Sequence, residues 1–487
     1  MKISHIAVSF VLFLSSTSLS FAQQTSPLTP SSIVTGQCHG NEDAPGCVVP
    51  TLFGPNGLTL FPQGAFPHFA HFIGNAQETL NTTLSTAIAT QLAILPLISP
   101  ASGFTYRYDR ETGAFVRTSS SFGPVYSERG ETIGRGRFTV GAASQRFRFG
   151  TLDGIDLHKG PAVFSHLPFT AGPNLVEPYE ADVISTVNDV NVHIDQTILY
   201  GTVGITDRLD VSVAVPISSV RLSATSNANI IRVSGPTPTL ILAGGITTQI
   251  PNPHQFDASG SLQKTFSSKG SASGVGDVLF RVKAAVLNRE KVRVAAAMDF
   301  RTATGDSQKL LGAGGPGFTP FVVISGGKRF SPHANIGYQW NGKSILAGNI
   351  TGTTFGEDAA GQATVTTGPA TKGSLPNQLL YFSGVDVGVT DRLTVNLDYL
   401  GQAVFDAPRV VTDTFTTQNI PGGTGALTLP TIRGDKKTTT LNNGSVGLKY
   451  NLFGALLITG NVLFRMDHHG LRQDVTPLVG LSYTLSR

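Results

Sequence analysis

The sequence predicts an all-β protein: a closed antiparallel transmembrane β-barrel of about 12 strands with an N-terminal, partly helical extension. Three observations predict it. From about residue 136 to the C-terminus, apolar and polar residues alternate with period two. The alternating runs commonly reach ~10 residues, the length a tilted membrane strand needs. The connections between them alternate between very short and very long, as the two ends of an outer-membrane barrel do. Composition agrees: only 14% of the 487 residues are charged, against about 25% in soluble domains. The net charge of +4 and the lack of a basic stripe argue against nucleic acid as a partner.

The elements follow in chain order. Lys2, the apolar run Ile6–Leu14 and the small residue closing Ser20-Phe21-Ala22 read as a signal peptide over residues 1–22, cleaved after Ala22. Beyond it no run approaches the ~18 apolar residues of a membrane-spanning helix. Residues 23–135 form a segment of different character. Its two cysteines, Cys38 and Cys47, sit close together in an exported protein, where a disulfide is permitted. Ala76, Leu80, Leu84, Ile88 and Leu92 recur at helical spacing, predicting a helix over residues 76–95 that Pro96 ends. This segment either folds into the lumen as a plug or packs as a periplasmic helix on the barrel mouth.

Residues 136–487 carry the barrel. Val292, Val294, Ala296, Met298 and Phe300 share one face, and Arg293, Asp299 and Arg301 the other. Phe280, Val282 and Ala284 oppose Arg281 and Lys283; Leu393, Val395, Leu397 and Tyr399 oppose Thr394, Asn396 and Asp398; Ile458, Val462 and Phe464 oppose Thr459, Asn461 and Arg465. Short turns are expected at Thr206-Asp207-Arg208, Asn288–Lys291, Ser331–His333, Thr390-Asp391-Arg392 and Asn451–Gly454, the first and fourth in the repeated sequence Gly-(Ile/Val)-Thr-Asp-Arg-Leu. Long polar loops are expected near 150–187, 226–275, 304–316, 347–376, 406–438 and 467–475. Parity changes near Asp195 and near Gln145 predict irregularities there, a bulge in the first case. Tyr338, Trp340, Tyr381, Tyr399, Tyr450 and Tyr483 are expected on the lipid face.

Chemical motifs are sparse. His193 and Asp195 stand two apart on one strand face, either a general-base pair or lumen-lining polar residues. His68 with His71, and His468 with His469, lack the further ligands of a metal site. Asp386 and Asp398 project from neighbouring strands toward the same side, where they either couple as like charges or pair with lumen cations such as Arg281, Lys283, Arg293, Arg301, Lys449 or Arg465. Gly312–Gly317 lacks the Lys-Ser/Thr of a phosphate-binding loop. No cofactor, metal or catalytic set is expected. The lumen is expected to be lined by His193, Asp195, Arg281, Lys283, Arg293, Asp299, Arg301, Asp386, Asp398, Lys449 and Arg465.

Ser273-Gly274-Val275-Gly276-Asp277 opens a strand, and Ala303-Thr304-Gly305-Asp306 closes another before a Gly-rich loop. With these elements the chain resembles the bacterial outer-membrane family of meta-pathway phenol-degradation proteins, over roughly residues 136–487. The family is distantly similar to long-chain fatty-acid and aromatic-hydrocarbon channels. The resemblance implies passage of small, hydrophobic or aromatic molecules across the outer membrane, with lipid and small solutes as partners and no catalytic residues to carry over. The chain departs from the family's usual pattern at Ala303, where relatives have Pro, and at Arg487, although Leu481, Tyr483 and Leu485 keep the apolar alternation. The expected function is a passive channel. An outer-membrane phospholipase-type enzyme and a structural or adhesion barrel acting through its long loops are the alternatives.

Overall fold

The computed structural model describes residues 38–486 apart from 39, 55–56, 62–71, 74, 95–98, 100–102, 110–113, 167–180, 242–246, 250, 290, 358–362 and 420–422. The signal peptide, His68 and His71 lie outside the described residues. Twelve strands pair in chain order: β1 Arg137–Phe149, β2 Val183–Thr206, β3 Leu209–Ile231, β4 Leu279–Asn288, β5 Arg293–Arg301, β6 Gly317–Ser325, β7 Phe330–Asn341, β8 Gln378–Gly388, β9 Leu393–Thr416, β10 Thr428–Phe453, β11 Leu456–Arg465 and β12 Val475–Ser486. The ring closes where β12 pairs antiparallel with β1, from Ser486↔Arg137 to Leu478↔Gln145. Closure leaves no sheet edge in hydrocarbon, where each unpaired backbone group would cost several kcal/mol. No described helix is long and apolar enough to cross a membrane.

Side chains alternate as the sequence requires. Outward-facing Leu199, Phe280, Ile336, Trp340, Leu448 and Leu481 are exposed around the wall, while inward-facing Thr202, Lys283, Asp386, Asn396 and Lys449 are buried. An apolar belt outside and polar groups inside invert the pattern of a soluble globule and match a wall set in lipid. The belt ends in aromatics: Trp340 packs against Tyr338 and Phe318, and Tyr399 donates to Asn442 Oδ1 at 2.7 Å.

Short connections lie at the end that also holds Arg137 and Ser486, and long ones at the other; the first end is therefore periplasmic and the second extracellular. One turn differs from its expected place. The link between β6 and β7 falls at Gly326–Arg329, where Gly327 adopts φ +74°, a conformation only glycine takes cheaply. Pro332, within the stretch where the turn was expected, stands instead near the start of β7, where a strand tolerates proline.

Several strands run well past the belt. β9 and β10 stay paired out to Thr416↔Thr428 beyond a register shift at Val404/Ala407. A further strand, Gln263–Val275, pairs with the outer half of β3 and continues β4 upward across a break at Gly276–Val278. Gly276 N–H donates to Pro216 O (2.7 Å) at that break. Stretches read as loops are therefore strands that continue the wall above the belt.

This extension explains the parity changes in β1 and β2. Neither strand is irregular there: pairing runs unbroken from Phe138↔Val203 to Phe149↔Val192, and from Val183↔Ile231 to Gly204↔Asp210. Polarity, not register, is what switches. In the belt the apolar residues point out; above it Val192, Ile194, Val220 and Leu222 point inward and are buried against the chain's own N-terminal region. His193 and Asp195 consequently point outward, which corrects their expected place in the lumen.

Candidate functional site

The lumen is occupied by the chain itself. Its upper, extracellular half receives the helix Asn75–Ile94, whose Leu84, Ile88, Ala89 and Ala93 are buried. Thr86 Oγ1 donates to Leu346 O (3.3 Å), and Gln339 Nε2 donates to Ala93 O (3.2 Å). Above it lies the segment stapled by the disulfide Cys38–Cys47. Phe53 packs edge-on against Phe164 and Phe266, at 5.4 and 5.1 Å between ring centroids. Val48, Val49, Leu52, Phe53, Leu58 and Leu60 are all buried, and each side chain so buried stabilises by about 1.5–3 kcal/mol. The helix thus sits at the long-loop end, away from the periplasmic mouth.

The lower half is filled by a loop that rises from the periplasmic end and returns to it. Ser120 and Ser121 N–H donate to Lys328 O in the β6–β7 turn (3.1 and 3.2 Å). Phe122 N–H donates to Thr394 Oγ1 (3.0 Å), Asn396 Nδ2 to Gly123 O (2.8 Å) and Lys449 Nζ to Pro124 O (2.6 Å). The apex is Ser127-Glu128. Descending, Gly130 N–H donates to Ser325 Oγ (2.9 Å) and Ile133 N–H to Asp210 Oδ2 (2.9 Å) before β1 begins. A segment with no hydrophobic period is held here by its backbone groups, several of them matched to lumen side chains.

Charge complements geometry. Glu128, 3% exposed, accepts from Arg281 Nη1 (2.5 Å), Lys283 Nζ (3.0 Å) and Ser99 Oγ (2.5 Å). Arg281 also grips Asp299 through Nε and Nη2, both at 2.6 Å. Glu131 pairs with Arg293 at 3.1 Å. Asp398 accepts from Ser127 Oγ (2.6 Å) and lies 2.7 Å from His333 Nε2, while Asp386 lies 3.6 Å from His333 Nδ1 and accepts from Asn396. Arg281, Lys283, Arg293, Asp299, Asp386, Asp398 and Lys449 therefore line the lumen together. The two aspartates are joined by His333, which lies between them. Arg301 and Arg465 face inward nearer the outer rim: Arg301 pairs with Asp277 (2.8 Å), and Arg465 with Asp474 (2.8 Å).

The two turn elements singled out in the sequence meet at that rim. Asp277 accepts from Gly305 N–H (2.9 Å), Ala313 N–H (2.8 Å) and Arg301 Nη1, and Thr304 Oγ1 donates to Gly276 O (2.9 Å). Gly-Asp and Thr-Gly-Asp are thus two halves of one clasp, which ties the Gly-rich loop down over the top of β4 and β5.

Ser127, His333 and the aspartates do not form a nucleophilic triad. Ser127 Oγ does lie 3.3 Å from His333 Nε2, but its hydroxyl donates to Asp398 at 2.6 Å, Asp398 lies closer to that same imidazole nitrogen at 2.7 Å, and the His333 side chain is fully buried. Among the described residues no three His, Cys, Asp or Glu side chains converge as metal ligands. Beside the apex lies a cavity of about 60 Å³, bordered by Tyr126, Phe321, Leu380 and Phe382 with Arg281 and Glu128 at its polar end. Two others beside the helix measure about 30 Å³ each. A cavity that takes benzene needs roughly 150 Å³.

Serine, glutamate and histidine at 127, 128, 131 and 333 were not singled out in the sequence. Glu128 and Glu131 gave one usable signal: two acids in a stretch preceding a barrel whose inward faces carry excess cations.

Comparison with known proteins agrees with the turn motifs. The family described as "Putative MetA-pathway of phenol degradation" has a model that matches residues 167–379, the stretch that holds both halves of the clasp. No curated protein matches the chain. Solved structures similar to it include an outer-membrane channel from Pseudomonas putida F1, at 10% identity and TM-score 0.38 over 74% of this chain and 100% of that one. A FadL homologue from Pseudomonas aeruginosa has 9% identity and TM-score 0.30 over 93% and 98%. The toluene transporter TbuX from Ralstonia pickettii has 12% identity and TM-score 0.24 over 75% and 94%.

Proposed function

We propose that this barrel is a passive outer-membrane channel for small hydrophobic or aromatic molecules, closed at rest by residues 38–136, which act as its plug. The observation that carries the reading is that the lumen cations Lys283 and Arg293, on the adjacent strands β4 and β5, pair with Glu128 and Glu131 of the plug, while Arg281 divides itself between Glu128 and the wall's Asp299. A lumen built to stay filled has no need to place its counter-ions on a separate segment. Placing them there makes closure reversible, because the same charges are available to water once the segment withdraws. The aromatic and aliphatic border of the 60 Å³ cavity supports an apolar solute, which would widen that cavity as the loop 118–136 shifts. Transport would be diffusive, with selectivity set by radius and lumen charge.

The test is flux of toluene and of a hydrophilic sugar into proteoliposomes carrying the full chain. Toluene passage above that of protein-free vesicles is expected. If neither the full chain nor a chain with a weakened plug passes either solute, the channel reading fails.

A further inference from the structure

The outer wall carries a charge cluster for which the lumen has no use. Four successive outward rows cross β1, β2 and β3: Ala142, Leu199 and Val215; Ser144, Thr197 and Ile217; Arg146, Asp195 and Ser219; Arg148, His193 and Arg221. The first row is belt and the second is its margin. The third and fourth are ionic, and rows are only ~7 Å apart along a strand. The change from hydrocarbon to charge is therefore abrupt, at the level where lipid headgroups begin.

Three arginines meet one acid there. Arg146 Nε lies 2.8 Å from Asp195 Oδ1, Arg148 Nη2 3.5 Å from the same oxygen, and Arg221 Nη2 2.7 Å from Oδ2. Side-chain exposures are 64%, 35% and 56% for the arginines and 29% for Asp195. Burial, then Arg148 and Arg221, hold the His193 imidazole below its ordinary value, so it adds no charge at neutral pH. The cluster carries a surplus of two positive charges. Three guanidiniums offer about fifteen N–H donors, far more than one carboxylate can accept. Asp195 gathers the three guanidiniums on the outer wall, where Arg148 Nη1 donates to Phe147 O (3.0 Å) and the exposure of all three leaves donors accessible from outside.

We propose that Arg146, Arg148 and Arg221, positioned by Asp195, form a binding site for the phosphate of an outer-leaflet lipid whose acyl chains lie on the apolar rows below. Planar forks match phosphate oxygens bidentately. The belt directly beneath fixes the source as a lipid headgroup, because a free anion would gain nothing from Leu199 and Ile217. The inference goes beyond the channel reading and does not depend on conduction.

The test titrates the full chain in detergent with bisphosphorylated lipid A and with the same lipid stripped of both phosphates, with retained lipid read by native mass spectrometry. At about fivefold per arginine, the phosphorylated form is expected to bind about a hundredfold more tightly. Arg146→Gln/Arg148→Gln/Arg221→Gln is expected to lose that preference while binding the stripped lipid as before. Equal affinity of the unaltered chain for the two lipids overturns the proposal without recourse to any variant. Displacement of the lipid by an equal concentration of inorganic phosphate overturns it too, because the site would then serve a free anion.

Discussion

Glu128→Gln isolates the plug's electrostatic hold on the lumen. The substitution keeps the shape and one hydrogen-bond acceptor but removes the charge shared by Arg281 at 2.5 Å and Lys283 at 3.0 Å. Arg281 retains Asp299. Lys283, 1% exposed, loses the only carboxylate within salt-bridge distance among the described residues and keeps the Arg129 carbonyl at 3.4 Å. Stripping one partner from a buried pair costs about 3–5 kcal/mol. The strain is relieved when the loop withdraws and water reaches the ammonium. Even about 3 kcal/mol shifts the closed-to-open ratio by roughly 150-fold. In planar bilayers the open fraction is expected to rise by about two orders of magnitude. Asp299→Asn is the control: Asp299 belongs to the wall and its loss leaves Arg281 with Glu128, so it should lower thermal stability without raising the open fraction. An open fraction in Glu128→Gln equal to that of the unaltered chain, with β-structure intact, would refute the assignment of Glu128 as a latch.

Three further outcomes are expected. Asp277→Ala removes the acceptor for Gly305 N–H, Ala313 N–H and Arg301, so hydrogen exchange at both amides should accelerate while exchange in β8 and β9 stays unchanged; equal protection in both would contradict the clasp. Cys38→Ser/Cys47→Ser removes a staple worth about 3 kcal/mol for its loop of nine residues' separation, and should expose residues 38–60 to externally added protease with the barrel still folded. At Asp195, burial alone would raise the carboxyl, but the hydrogen bond from Arg146 and the charges of Arg148, Arg146 and Arg221 outweigh it and hold it below its ordinary value. A depressed carboxyl stabilises above its unfolded pKa and ceases to as pH falls through the folded one. Asp195→Asn should therefore lower Tm at pH 7, by the equivalent of about 1 kcal/mol or less at so exposed a site, and the difference should vanish in strong acid.

The barrel was legible because lipid and water impose period two on every belt strand, and Val292–Arg301 shows it in ten consecutive residues. Turn and loop order was equally plain. The outer extensions of β9 and β10 were not, since Thr428–Thr440 is mostly polar and shows no hydrophobic period, yet it pairs with β9 from Thr428↔Thr416 to Lys437↔Ala407. Asp195 misled for a related reason: the inner wall above the membrane packs on the N-terminal segment, so polarity reverses while the strand continues. Glu128 and Glu131 were hidden because their partners lie more than 150 residues away, and nothing local in the sequence fixes which lumen cation a plug carboxylate meets.

Trp340 is the only tryptophan in the chain, and it stands 48% exposed on the outer face near the extracellular end of β7. Fluorescence of the chain reconstituted in vesicles of brominated phosphatidylcholine therefore tests whether the apolar face touches acyl chains. The account predicts strong quenching, greater when the bromines lie near the headgroup than when they lie deep in the chain. Emission undiminished at every bromine depth would mean that this face meets water or protein, and the membrane placement on which the channel rests would be wrong.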